Sequence, residues 1–189
     1  MIGMPPERSA TALLLIDFIN DFEFEGAERM FPDALAAAKA ASELRLRAKA
    51  AGVPVVYCND NFGRWRSDFR KTLAHCLEED VRGKPIAELL KPGDEDYFVL
   101  KPKHSGFEST SLDILLSHLR VGRLILSGVA GDFCVLFTAH DAYMRGYELL
   151  VPGDCTASDT AEDNRFALRH MAKVCRADIR PSLAISFRA

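Results

Sequence analysis

At 189 residues the chain is long enough for one domain with a sizeable core, and its 48% hydrophobic and 27% charged residues are ordinary for a globular protein. A formal net charge of -3 argues against a broad electrostatic attraction to nucleic acid or to an anionic membrane. No apolar run approaches the roughly 20 residues of a membrane span.

The first ten residues, MIGMPPERSA, have neither a basic n-region nor an apolar h-region, so no secretory signal is expected. Cys58, Cys76, Cys134, Cys155 and Cys175 are odd in number, widely spaced and free of CxxC pairs. That pattern argues against a disulfide framework or a zinc knuckle and predicts reduced thiols in a cytoplasm. Thr11 to Ile16 (TALLLI) is a continuous apolar run suited to a buried parallel strand. Pro32 to Ala51 is alanine-rich and favours a helix, with Leu35, Leu44 and Leu46 along it and Gly52 placed to end it. Pro54 to Cys58 (PVVYC) reads as the second strand, followed by the loop NDNFGRW.

A helix is expected over Trp65 to Glu79, interrupted afterwards by Gly83 and Pro85, and Tyr97 to Leu100 (YFVL) reads as the third strand. Leu112, Leu115, Leu116 and Leu119 share one helical face. Leu124 to Leu126 reads as the fourth strand, Cys134 to Arg145 as a helix, Tyr147 to Val151 as the fifth strand and Asp159 to Val174 as a helix. Ala177 to Ile179 is a candidate sixth strand. The alternation predicts a single α/β domain over residues 1–189: a largely parallel sheet covered on both faces, with right-handed crossovers. Sites in such sheets form at the carboxyl ends of the strands.

Those ends carry chemistry. Asp17 follows the first strand; Asn59, Asp60 and Asn61 follow the second; Lys101 follows the third; Gly128 to Cys134 follow the fourth. Each has a plain alternative: Asp17 as a cap, Lys101 as a solvated lysine with Lys103 in competition, Cys134 as a small buried hydrophobe. Together they form a coherent set. A thiolate is the nucleophilic form of cysteine, favoured by a helix N-terminus and by an ammonium group. A carboxylate can take the thiol proton and return it to a leaving group. The glycine-flanked turn before Cys134 can aim backbone N–H groups at an oxyanion, where one donor is worth about 2.7–4 kcal/mol.

The stretches ALLLIDFINDF, LKPKHSGFESTSLDILL and LILSGVAGDFCVLFTAHDAYMRGYELLVPGDCTAS, in this order, resemble the isochorismatase-like cysteine hydrolases, the group that includes nicotinamidases, N-carbamoylsarcosine amidases and isochorismatases. The resemblance covers nearly the whole chain. It implies a doubly wound six-stranded sheet, frequent homo-oligomers, and a catalytic Asp17–Lys101–Cys134 set. Lys101 rather than Lys103 is implied by its spacing to Ser105-Gly106-Phe107. A cis peptide is implied at Val129–Ala130, with the Ala130 and Cys134 N–H groups as the oxyanion hole.

One departure concerns metal. Nicotinamidases hold a metal through an aspartate and histidines in the loop after the second strand; here Asp60 matches the acid, but Phe62 stands where a histidine is needed. His75, His104, His118, His140 and His170 show no shared ligand spacing, so no metal and no cofactor are expected. Asn59, Asp60, Phe62, Trp65 and Phe22 are candidate substrate-binding residues, each also readable as turn or packing. The expected activity is cleavage of a small amide or ureido C–N bond through a thioester. Two alternatives stand beside it. One is vinyl-ether hydrolysis of an isochorismate-like acid, with Arg64 and Arg66 available to pair a carboxylate; the other is a catalytically idle binding or oligomeric protein on the same fold.

Overall fold

The computed structural model describes residues 9–61 and 68–187. Strand β1 (Thr11–Ile16) is buried along its whole length, as its unbroken apolar run demands. Its side chains divide by strand alternation: Leu13 and Leu15 join one core layer, Ala12, Leu14 and Ile16 the other. β2 (Val55–Asp60) and β4 (Arg123–Val129) pair with β1 on either side, and β3 (Tyr97–Lys101) pairs with β2. β5 (Glu148–Leu150) extends the sheet beyond β4, giving the order β3-β2-β1-β4-β5 with every pairing parallel. The chain leaves β1 toward one edge and returns to its other side at β4. The carboxyl ends of β1 and β4 therefore flank the point where strand order reverses, the usual place for a ligand crevice.

Three helices cover one face: α1 (Ala27–Ala50), α2 (Phe69–Glu78) and α3 (Lys84–Leu89). The inner stripe of α1 is mostly alanine (Ala27, Ala34, Ala37, Ala38, Ala41, Ala48), so the helix lies close against the sheet. The other face carries α4 (Leu112–His118), α5 (Leu136–Met144) and α6 (Ala161–Val174), with Leu112, Leu116, Ala139, Ala142, Leu168 and Met171 in its core layer. Each large aliphatic side chain so buried contributes about 1.5–3 kcal/mol relative to exposure.

Four expectations are corrected. The sixth strand is Thr156–Ala157 (β6), not Ala177–Ile179; Asp178 makes only an isolated bridge to Leu150. β5 pairs β4 only over Arg123–Ile125, which leaves Gly128 and Val129 to pair with Thr156 and Ala157. α1 begins at Ala27 with Pro32 in its second turn, because burial of Ala27 and Met30 outweighs the one hydrogen bond the proline forfeits. Pro85 opens the short helix α3 instead of interrupting a segment, as a first-turn proline can. Ahead of α5 the chain makes one wide π-helical turn, Gly131–Val135, and Cys134 sits within it. α2 runs Phe69–Glu78, capped by the Asp68 side chain on the Lys71 N–H at 2.9 Å and ended by the extended Glu79; positions 65–67 of the predicted 65–79 helix lie outside the described residues.

Candidate active site

Asp17 leaves β1 with φ 54, a left-handed value that aspartate tolerates better than most residues. Its N–H is held by the Cys58 carbonyl at 2.9 Å, and its Oδ1 accepts the Asp60 N–H at 2.7 Å. Two strand ends therefore fix the carboxylate. Lys101, the last residue of β3, is fully buried and reaches across β2. Its Nζ lies 2.7 Å from Asp17 Oδ2, 3.6 Å from Asp60 Oδ2 and 3.5 Å from Cys134 Sγ. One ammonium thus bridges the acid, the thiol and a second carboxylate.

Burial pushes the Asp17 carboxyl above its ordinary value, against the pull of Lys101. Burial also works against the Lys101 charge, but Asp17, Cys134 and Asp60 outweigh it and hold the ammonium above its usual value. The Cys134 thiol is pushed up to about 12, first by burial and then by the neighbouring Asp17 charge, with Lys101 opposing both. Burial and the Asp17 charge therefore favour the thiol form of Cys134 beside the Asp17–Lys101 pair. The wide turn brings the sulfur to Lys101, but a buried anion beside a carboxylate costs more than that lysine returns.

The turn holding Cys134 is fastened on three sides. Gly128 takes φ 145, and a Cβ there would meet the Ile16 carbonyl oxygen at 2.1 Å, so β4 passes β1 closely just before the turn. The Val129–Ala130 peptide bond is cis. Ser158 Oγ accepts the Asp132 N–H at 3.0 Å, and Asn164 Nδ2 donates to the Thr156 carbonyl at 3.1 Å, so the β6–α6 corner braces the turn. The buried Thr138 hydroxyl donates to the Cys134 carbonyl at 2.7 Å and accepts the Gly106 N–H at 2.9 Å, tying α5 to the loop after β3.

A cleft of about 310 Å³ opens at this point, lined among the described residues by Asp17, Asp60, Ala130 and Cys134 together with Asn20, Phe22, Phe24, Met30, Val129, Asp132, Phe133 and Asp159. The structure thus brings together Asp17, Lys101, Cys134, Asp60, Ala130 and Phe22. Phe22 is buried at φ 56, its N–H bonded to Asn20 Oδ1 and its carbonyl to Arg82. Asn59 is elsewhere: fully buried, it donates to the Ile19 carbonyl at 2.7 Å and supports the loop from beneath. Phe62 and Trp65, with Arg64 and Arg66, lie outside the described residues. Cys58 is buried strand packing, its thiol pushed up to about 12 by burial.

Among the described residues no three His, Cys, Asp or Glu side chains are placed to hold a metal ion, and the Asp60 carboxylate faces Lys101. That donor set does not fit a divalent metal. Sequence reasoning missed Asn20, Phe24, Met30, Asp132, Phe133 and Asp159. Asn20, Asp132 and Phe133 stand inside the motifs already singled out; the other three carry no local signal.

This arrangement sets a cysteine, on a turn after the fourth strand, against an Asp–Lys pair from the first and third strands of a doubly wound sheet. The Isochorismatase domain family matches residues 11–179, and the chain belongs to that family. An isochorismatase family protein of Bacillus subtilis, YaaI, is 43% identical over 172 residues, covering 91% of this chain and 94% of its own. Maleamate amidohydrolase of Pseudomonas putida is 31% identical over 169 residues, covering 82% and 77% respectively. Among solved structures, N-carbamoylsarcosine amidase from Thermoplasma acidophilum superposes with a TM-score of 0.73 at 26% identity, over 93% of this chain and 98% of that one.

Proposed function

We propose that the protein is an amidohydrolase that cleaves a small amide or ureido C–N bond through a thioester on Cys134, with no metal in the reaction. The observation that carries this reading is the single ammonium of Lys101 standing 2.7 Å from Asp17 and 3.5 Å from Cys134. Asp17, raised in basicity by burial yet kept ionised by Lys101, takes the thiol proton as sulfur attacks the carbonyl carbon. The oxyanion accepts from the Ala130 and Cys134 N–H groups. Asp17 then protonates the departing nitrogen, the C–N bond breaks and an acyl thioester remains. Water gives a proton to Asp17 as it attacks the thioester; the carboxylic acid leaves, and the proton returns to sulfur. The amide- and ureido-cleaving relatives on this fold support the reaction class.

The test is intact-protein mass spectrometry after rapid acid quench with amide substrates. An acyl adduct on Cys134, absent from Cys134→Ala together with turnover, is the expected result. Full turnover by Cys134→Ala would overturn covalent catalysis.

A further inference from the structure

We propose that the cleft prefers amides whose far end carries a positive charge, an alkylammonium group, and disfavours those that end in a carboxylate. This deepens the amidohydrolase reading and rests on it. Four of the cleft's lining residues are aspartates, and none of its described lining residues is a lysine, arginine or histidine. Lys101 beneath is committed to Asp17 and Asp60. Asp132 and Asp159 differ from those two: no cation partners either among the described residues.

Among the described residues, the nearby cations do not offset them. Arg82 donates to the Phe22 carbonyl and lies 3.7 Å from Glu23. Lys103 is exposed and absent from the lining, and the exposed His104 packs its ring on Phe133 at 4.5 Å. The remaining wall is aromatic: Phe24 and Phe133 are 43% and 47% exposed, so their faces are available to an ammonium group.

A second observation points to a ligand in the same space. Asn20 is only 9% exposed and lines the cleft. Its Oδ1 accepts the Phe22 N–H at 2.8 Å, while its Nδ2 has no acceptor among the described residues. A nearly buried donor left open beside Asp17 suits an amide or ureido oxygen. The substrate's polar head is then held near the sulfur, and its tail extends between Phe24, Phe133 and the carboxylates of Asp132 and Asp159.

A matched trio tests this: butyramide, 4-aminobutyramide and succinamate, of similar size and differing in end charge. The expected order of kcat/KM is cationic, neutral, anionic, with about tenfold between the extremes at low salt and less at high salt. Asp132→Asn and Asp159→Asn are each expected to lower the cation-to-anion ratio by about two- to fivefold. Calorimetric binding of the trio to Cys134→Ala reads the same ranking without chemistry. An anion bound and cleaved as well as the cation, a ratio that neither variant moves, or no binding by any of the three overturns the preference. If the cation binds best but none of the three is hydrolysed, the charge preference stands and the amidohydrolase reading falls. If butyramide is hydrolysed through Cys134 with a flat ranking, the reverse holds.

Discussion

Removing the Asp17 charge should have opposite effects on two properties of Cys134. That charge helps push the thiol up to about 12, while Lys101 pulls it down. Asp17→Asn keeps the shape and the lysine, so the thiol should ionise more readily and react faster with iodoacetamide at pH 8. Hydrolysis should fall about 10²–10⁴-fold, because no base remains to move the proton. Lys101→Met should instead slow alkylation. Pseudo-first-order alkylation measured from pH 7 to 11 separates the cases, with the wild-type rate still climbing at the top of that range. Cys134 is the only partly exposed cysteine and the other four are buried, so native labelling should reside on it. Equal alkylation of all five in the folded protein would contradict the geometry. At this scale Asp17 was legible because it directly follows an apolar run and Lys101 because it ends one, while the choice of Lys101 over Lys103 and the reading of Cys134, which lies beyond the end of its strand at Val129, came from the family resemblance. Asn20's open donor was not, since its neighbours in the cleft come from distant segments. Nor was the direction in which the Cys134 thiol is pushed: charge type is written in the sequence, but the balance of burial against pairing is a matter of distances.

Two glycines flank and open the Cys134 turn, and they bear on the fold and on the proposed chemistry differently. At Gly128 a Cβ would meet backbone, the Ile16 carbonyl carbon and oxygen, at φ 145, so neither neighbour can yield. Gly128→Ala should cost about 3 kcal/mol or more, read as a lowered urea midpoint. At Gly131 a Cβ would meet Asn164 Oδ1 at 2.2 Å, the far end of a side chain. Gly131→Ala should displace Asn164 from the Thr156 carbonyl and loosen the turn, costing about 1 kcal/mol of stability but more than tenfold in kcat. A kcat unchanged in Gly131→Ala would show that the α6 brace has no part in positioning Cys134. The strands β1 to β5 were readable because short apolar runs alternate with helical segments along the chain, a pattern that admits little else. β6 was not, because two residues carry no periodicity and their pairing exists only where β5 stops short along β4.

Across the whole molecule the buried thiols set an alkaline limit. Cys58, Cys76 and Cys155 are fully buried and each is pushed from 9.0 up to about 12, burial being the first cause. Below pH 9 each is protonated in folded and unfolded chains alike, and stability is unaffected. Above 9 the unfolded chain loses these protons first, so stability falls as pH rises and levels off only past about 12. The loss should approach about 1.4 kcal/mol per thiol for each pH unit above 9. Urea unfolding under reducing conditions at pH 8, 9 and 10 measures it, and Cys76→Ala should flatten the slope. A slope equal to wild type would mean that this thiol does not titrate differently on unfolding.

By itself the sequence determined the layered α/β architecture, the parallel strands and the three reactive residue types. Hydrophobic periodicity dictates which segments must be buried, and a chain has few ways to bury alternating strands and helices. The tertiary structure decided how those residues meet: which lysine reaches the sulfur, which way burial pushes each titrating group, and which carboxylates face the cleft with no cation partner among the described residues. These depend on separations of 2.7 to 3.6 Å between atoms tens of residues apart. Only the order in which strands lie side by side fixes such distances, and here that order places β1 between β2 and β4.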